Sequence, residues 1–104
     1  MASKTKPSQI DIPKQTIADF CRRHHIIRLA LFGSVLRDDF RSDSDIDVLV
    51  EFKLAKTPGL AFFEMEDELS EIFGRKVDLN TPEFISRHFR NEVLKNAEPL
   101  YVAP

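Results

Sequence analysis

Two short apolar runs on either side of an acidic segment constrain the fold of this chain more than any other feature. Residues 26–32 are mostly apolar and begin with two isoleucines, and residues 48–50 form the second run. Runs of this kind, bounded by turn-forming residues, are typical of buried strands. Asp45 and Asp47 lead into the second run and point to one side of it, because side chains alternate along a strand. Charge beside a buried strand is costly unless something compensates it.

Periodic patterns along the rest of the chain predict one small domain. The predicted order is helix, strand, strand, helix, strand, helix, at residues 13–25, 26–32, 45–52, 60–73, 75–79 and 81–96. A short extended end is predicted at residues 99–102. We expect a flexible tail at residues 1–9 and a single domain at residues 10–104. Its predicted class is α/β (α+β), with a small mixed sheet flanked by helices. Phe62, Phe63 and Phe84 are expected to pack in the core, and a surface that faces a partner is the alternative.

Composition and charge limit the kinds of partner. The chain has 104 residues and a net charge of −2, so it lacks the basic footprint of a nucleic-acid-binding protein, and we expect no direct binding of nucleic acid. No apolar run approaches the roughly 20 residues of a membrane span, and residues 1–9 lack the apolar segment of a signal peptide. We therefore expect a cytoplasmic protein without membrane contact. Its small size is compatible with a homo- or hetero-oligomer, and its single cysteine, Cys21, is expected to be a packed thiol.

Three aspartates are candidate metal ligands. Asp45 and Asp47 would repel each other on one side of a strand, and a divalent cation reverses this because carboxylate oxygens are natural ligands of Mg²⁺. Asp78 lies in the predicted third strand and could complete a two-cation site for phosphoryl displacement. Two alternatives stay open: a solvated acidic turn for the first two residues, and a strand-end cap for Asp78.

Gly33 and Ser34 follow the first predicted strand and precede a short helical turn. Glycine lets the backbone turn sharply and lets a phosphate come close. Backbone N–H groups at a helix start, together with the Ser34 hydroxyl, could cradle that phosphate. Arg37 lies one turn later and could also meet a phosphate. The alternatives are an ordinary turn for the Gly-Ser pair and, for Arg37, a surface arginine that pairs with a nearby aspartate.

The combined spacing resembles a known family. Gly33-Ser34, ten further residues and then Asp45-Ile46-Asp47 are similar to the G-S-x10-D-x-D signature of the DNA polymerase β-like nucleotidyltransferase superfamily. The flanking sequence LFGSVLRDDFRSDSDIDVLVEF resembles the minimal nucleotidyltransferases, the MNT group. GRKVDLNTPE resembles the strand that carries the third carboxylate of that group, and EVLKNAEPLY resembles its C-terminal end. The resemblance covers nearly the whole chain.

The resemblance implies an activity, cofactors and a partner. The implied reaction is transfer of AMP from ATP to an acceptor hydroxyl with release of pyrophosphate, assisted by two Mg²⁺ ions. Members of the MNT group act as antitoxins, and their acceptor is a tyrosine of a HEPN-domain ribonuclease toxin. The implied catalytic and metal-binding residues are Asp45, Asp47 and Asp78, and the candidate nucleotide-binding residues are Gly33, Ser34, Arg37 and Ser44.

The local charge agrees with a metal requirement. Between Arg37 and Glu51 there are six acidic and two basic residues, so this segment would repel a triphosphate in the absence of cations. Two other functions stay open. One is a non-enzymatic antitoxin that masks its partner by binding. The other is a transferase that modifies tRNA or antibiotics, although relatives of that kind generally carry extra domains.

Overall fold

A mixed β-sheet covered on one face by two helices is the framework of the described chain. The structure is a computed structural model, and it describes residues 12–36, 45–53 and 59–104, apart from the side chains of Ser34 and Val35. The predicted tail at residues 1–9 lies outside these ranges. The elements in chain order are α1 (Lys14–Arg23), β1 (Ile26–Phe32), β2 (Ile46–Phe52), α2 (Ala61–Phe73), β3 (Val77–Asn80), α3 (Arg87–Asn96) and β4 (Glu98–Val102).

The position of β2 inside the sheet sets the topology. The strands of the described ranges lie in the order β3-β2-β1-β4. β2 pairs antiparallel with β1 and parallel with β3, which confirms the predicted mixed sheet. β4 pairs antiparallel with the other side of β1. The sequence predicted a short extended end at residues 99–102, and the structure shows this segment as the strand β4 beside β1.

The core lies between one face of the sheet and the helices α1 and α2. Alternating side chains of β1, β2 and β3 meet the apolar faces of the two helices, in agreement with the predicted periodicity. Gly74 ends α2 with φ = 73°, the left-handed conformation expected of a residue just past a helix. The buried cluster consists of Ile17, Phe20, Cys21, Ile26, Leu29, Leu31, Ile46, Val48, Val50, Met65, Leu69, Val77 and Leu79.

Cys21 is a packed thiol, as predicted. It lies on the buried side of α1, and its side chain is part of the core cluster. Burial disfavours the thiolate and raises the pKa of Cys21 to about 12, against a smaller opposing effect of Arg22. The residue is therefore a small apolar core group and not a nucleophile.

The predicted helix at residues 81–96 is two elements and not one. Residues Pro82–Phe84 form a 3-10 turn, Ile85 is extended, and α3 begins only after Ser86. The Ser86 hydroxyl accepts a hydrogen bond from the His88 N–H (3.3 Å), so the chain uses Ser86 as the N-cap. The predicted apolar period was real, but α3 buries none of its residues.

None of the helices in the described ranges combines the length and the apolar character needed to cross a membrane. The cytoplasmic location stays a prediction.

The contrast between α2 and α3 is testable by truncation. We expect Leu69→Ala, which removes a fully buried side chain, to lower the free energy of unfolding by about 2–5 kcal/mol. Phe89→Ala removes a larger side chain that is 64% exposed, and should cost under about 1 kcal/mol. Urea denaturation followed by circular dichroism measures both. A cost for Phe89→Ala equal to that of Leu69→Ala would show that α3 packs in the core after all.

Candidate active site

The pairing of β2 with β3 places Asp47 beside Asp78. The two aspartates are direct partners in the parallel register, next to the pair formed by Ile46 and Val77. Because Ile46 and Val77 point into the core, alternation turns both aspartates to the opposite face of the sheet. Asp47 is half-buried and Asp78 is exposed. The fold thus brings together two carboxylates that are far apart in the sequence.

Gly33 lies directly against Asp47. The register pairs Phe32 with Asp47, so the chain leaves β1 alongside the carboxylate. Gly33 has φ = +76°, a conformation that favours glycine. A Cβ atom at this position would overlap Oδ2 of Asp47 and would lie 3.1 Å from its Cγ. The site therefore requires glycine at residue 33 for two separate reasons, backbone conformation and space.

The other predicted site residues are placed less completely. Asp45 is exposed just before β2 and, by alternation, on the side of Asp47. The backbone of Ser34 lies in the 3-10 turn Gly33–Leu36. Its side chain, and all of Arg37 and Ser44, lie outside the described residues.

The carboxylates provide suitable donors for a metal ion, but the described residues do not form a complete metal site. Within the described ranges, no group of three His, Cys, Asp or Glu side chains lies close enough to hold a metal ion. The structure therefore places Asp47 beside Asp78, but Asp45 does not join them in a group of three ligands. The donors themselves fit: carboxylate oxygens are hard ligands, which suit Mg²⁺, and Mg²⁺ commonly binds through one or two carboxylates plus substrate phosphates.

Two side chains of α2 hold the strand that carries Asp78. The Val77 N–H donates to Ser70 Oγ (3.0 Å), and the Leu79 N–H donates to Glu66 Oε2 (2.8 Å). Ser70 Oγ in turn donates to the Glu66 carbonyl (2.9 Å). β3 is an edge strand, so these N–H groups on either side of Asp78 face away from β2 and need other acceptors.

Sequence reasoning missed Glu66 and Ser70. Their only signal is a polar pair four residues apart that lies beside the buried positions Met65 and Leu69 of α2. Many exposed helix faces carry such pairs, so the pattern does not identify an acceptor for a strand edge.

The comparison with known families identifies the class of protein to which this fold belongs. A family model for the nucleotidyltransferase domain matches residues 14–101, and the chain therefore belongs to the nucleotidyltransferase domain family. Membership makes the protein a transferase of nucleotidyl groups, and confirms the resemblance derived from the Gly-Ser and Asp-x-Asp spacing.

The chain is similar to proteins that are named protein adenylyltransferases. The chain is 46% identical over 72 residues to a candidate protein adenylyltransferase of Methanocaldococcus jannaschii, a match that covers 61% of this chain and 71% of that protein. It is 33% identical over 81 residues to the protein adenylyltransferase MntA of Thermococcus cleftensis, a match that covers 77% of this chain and 78% of that protein.

Solved structures agree with the fold. A candidate minimal nucleotidyltransferase has a TM-score of 0.73 and 30% identity, and the match covers 94% of this chain and 99% of that one. A toxin–antitoxin complex with AMP-PNP matches with a TM-score of 0.70 and 21% identity, over 88% of this chain and 75% of that one. A tri-AMPylated HEPN toxin of Shewanella oneidensis in complex with its MNT antitoxin matches with a TM-score of 0.62 and 22% identity, over 86% and 70%. At these lower identities the last two show the fold alone.

The hydrogen bond from Leu79 to Glu66 gives a prediction about stability. Glu66→Ala leaves the Leu79 N–H without its acceptor and should lower the free energy of unfolding by about 1–3 kcal/mol. Glu66→Gln keeps an acceptor oxygen at the same place and should cost less than half as much. Urea denaturation of the three proteins measures the difference. Equal stability of the alanine and glutamine variants would show that this bond does not hold the edge of the sheet.

Gly33 gives a prediction in which Gly74 serves as the matched control. Both glycines have positive φ, +76° for Gly33 and +73° for Gly74. A Cβ atom added to Gly33 would clash with Asp47, whereas one added to Gly74 would have no atom within 4 Å. We expect each alanine variant to lose about 1 kcal/mol through backbone strain. Only Gly33→Ala should also displace the Asp47 carboxylate and lower nucleotidyl transfer, by about 100-fold or more.

A double-mutant cycle separates these two effects of Gly33→Ala. Since the Asp47 side chain is the obstacle, Asp47→Ala should remove any extra destabilisation of Gly33→Ala beyond that of Gly74→Ala. Unfolding free energies of the single and double variants measure the coupling. Additive free energies, together with unchanged transfer by Gly33→Ala, would contradict the described contact.

Proposed function

We propose that this nucleotidyltransferase transfers AMP from ATP to a tyrosine hydroxyl of a HEPN-domain toxin, and so acts as the antitoxin of that protein. The observation that carries the proposal is the adjacent placement of Asp47 and Asp78, with Gly33 packed against Asp47. The relatives support it, because one is named a protein adenylyltransferase and another was solved with an AMPylated HEPN toxin.

The proposed reaction exchanges one bond to the α-phosphorus for another. The acceptor oxygen forms a bond to the α-phosphorus of ATP, the bond from that phosphorus to the bridging oxygen breaks, and pyrophosphate leaves. The hydroxyl proton passes to a carboxylate oxygen of Asp78, which the exposed position of Asp78 allows. Asp78 is thus proposed as the residue that activates the acceptor.

Asp45, Asp47 and Asp78 are the residues proposed to hold two Mg²⁺ ions. When bound, the ions supply positive charge that offsets the triphosphate and the leaving pyrophosphate. The protein holds Asp47 in place with the rigid β2 strand behind it and with Gly33 against its carboxylate. Magnesium dependence is therefore part of the proposal.

The nucleotide is proposed to lie at the turn after β1. Gly33 and Ser34 would present their backbone N–H groups to the phosphates at the start of the 3-10 turn, and the Ser34 hydroxyl would add a donor. Arg37 and Ser44 are the other proposed nucleotide contacts. Gly33 supports this assignment because its left-handed conformation turns the backbone sharply beside Asp47.

The proposal is tested by labelling of the partner. The protein is incubated with α-labelled ATP, Mg²⁺ and a HEPN-domain protein as the proposed partner. We expect label on a partner tyrosine, loss of that label with EDTA, and a reduction of about 100-fold or more for Asp47→Asn and for Asp78→Asn, because removal of a carboxylate removes charge needed in the transition state. Asp67→Asn, on the exposed face of α2, is the matched control and should transfer AMP normally.

Two outcomes decide against this function. Equal label with wild type and with Asp47→Asn would exclude Asp47 from catalysis. If Asp47→Asn and Asp78→Asn protected cells from the toxin as well as wild type, the protein would neutralise its partner by masking and not by AMP transfer.

A further inference from the structure

A groove with a volume of about 860 Å³ opens beside Asp78. Gly33, at the proposed position of the nucleotide phosphates, does not line it. It lies between the end of β2, the start of α2 and the turn Pro82–Phe84, and Asp78 is one of its lining residues. Gly33, Asp45 and Asp47 are not among the described residues that line it. Of the proposed site residues whose side chains the structure describes, Asp78 is thus the one that the groove meets, and it is the residue assigned to the acceptor.

Aromatic rings form an exposed apolar side of this groove. Phe63 and Phe84 are each 65% exposed, which corrects the expectation that they pack in the core. Both stand edge-to-face against Phe62, with ring centroids 6.3 Å and 5.5 Å away. Phe62 itself is partly buried against the core, so it fixes the two outer rings. Large exposed rings grouped around a concavity indicate a surface that binds an apolar side chain.

The charged residues of the groove discriminate between occupants. The described lining includes Glu51, Glu66, Asp78 and Glu83, with Lys53 as its cation. Glu51 pairs with Arg28 (3.2 Å) and Glu66 accepts the Leu79 N–H, so Asp78 and Glu83 are the exposed acids. A triphosphate would be repelled here, whereas a cationic segment of a protein would be attracted.

We propose that this groove docks the segment of the protein partner that carries the acceptor hydroxyl, and that this segment combines an aromatic side chain with positive charge. Its ring packs against Phe63 and Phe84, its cationic side chain lies near Glu83, and its hydroxyl reaches Asp78. This inference rests on the proposed AMP transfer and adds the surface that selects the acceptor.

Truncation of the aromatic rings tests the apolar part. The variant Phe63→Ala/Phe84→Ala should raise the KM for the HEPN-domain partner by about tenfold, because ring contacts of this kind dominate interfaces. Its kcat at saturating partner and its KM for ATP should stay within about twofold of wild type. Phe89→Ala is the matched control, since Phe89 is 64% exposed on α3 and does not line the groove. Urea denaturation confirms that each variant folds.

Charge reversal tests the electrostatic part. Glu83→Lys should raise the KM for the partner by about tenfold in low salt and by much less in 0.5 M NaCl, because salt screens exposed charges. Glu92→Lys makes the same change at an exposed position of α3 outside the groove and should have little effect at either salt concentration.

The outcomes separate this inference from the proposed function. An unchanged KM for the partner in the aromatic variant, with normal labelling by wild type, overturns the groove assignment alone. A raised KM for ATP also overturns it, because the occupant would then be the nucleoside. If wild type labels no partner, the proposed function fails, and the groove is judged by partner binding in titration calorimetry. The same aromatic variant should still bind about tenfold more weakly, and equal binding overturns the assignment.

Discussion

The contact between Gly33 and the Asp47 carboxylate ties the register of the sheet to the site. Antiparallel pairing of Phe32 with Asp47 brings the end of β1 against that carboxylate. A slip of one residue would turn Asp47 toward the core and Val48 toward solvent, since side chains alternate along a strand. The buried positions of β2 therefore fix the orientation of Asp47, and the absence of a side chain at residue 33 leaves room for it. The same strand register thus determines both the packing of the core and the placement of the carboxylate.

The helix α2 supports the strand that carries Asp78 and also covers the core. A parallel neighbour of β2 requires a crossover, and α2 is the crossover that also covers the core through Met65 and Leu69. The same helix turns Glu66 and Ser70 toward the N–H groups of β3. The strand that carries Asp78 is thus held by β2 on one side and by α2 on the other. This support gives an exposed carboxylate on a four-residue edge strand a defined position.

Sequence patterns predicted the parts of this fold that are decided locally. β1, β2 and α2 follow from apolar runs and helical spacing, and the paired aspartates follow from the Gly-Ser to Asp-x-Asp spacing together with the strand around Asp78. The missed features depend on contacts that no local pattern shows. Ser86 is the N-cap of α3, so the predicted helix is divided into a 3-10 turn and a shorter helix. The hydrogen-bond acceptors for the edge of β3 come from α2, another element. Phe63 and Phe84 have core-like composition, but the fold leaves them at the surface.

The environments of Asp47 and Asp78 differ although the two residues are partners in one register. Asp47 is half-buried against Gly33 on an interior strand, whereas Asp78 is exposed on an edge strand and borders the aromatic groove. Carboxylates in unlike surroundings are suited to unlike tasks, as in other enzymes that use two acidic groups. In the proposed reaction, the half-buried residue is suited to a fixed role beside the phosphates. The exposed residue is suited to contact with a second substrate that arrives and leaves. The groove begins at the aspartate that this division assigns to the acceptor.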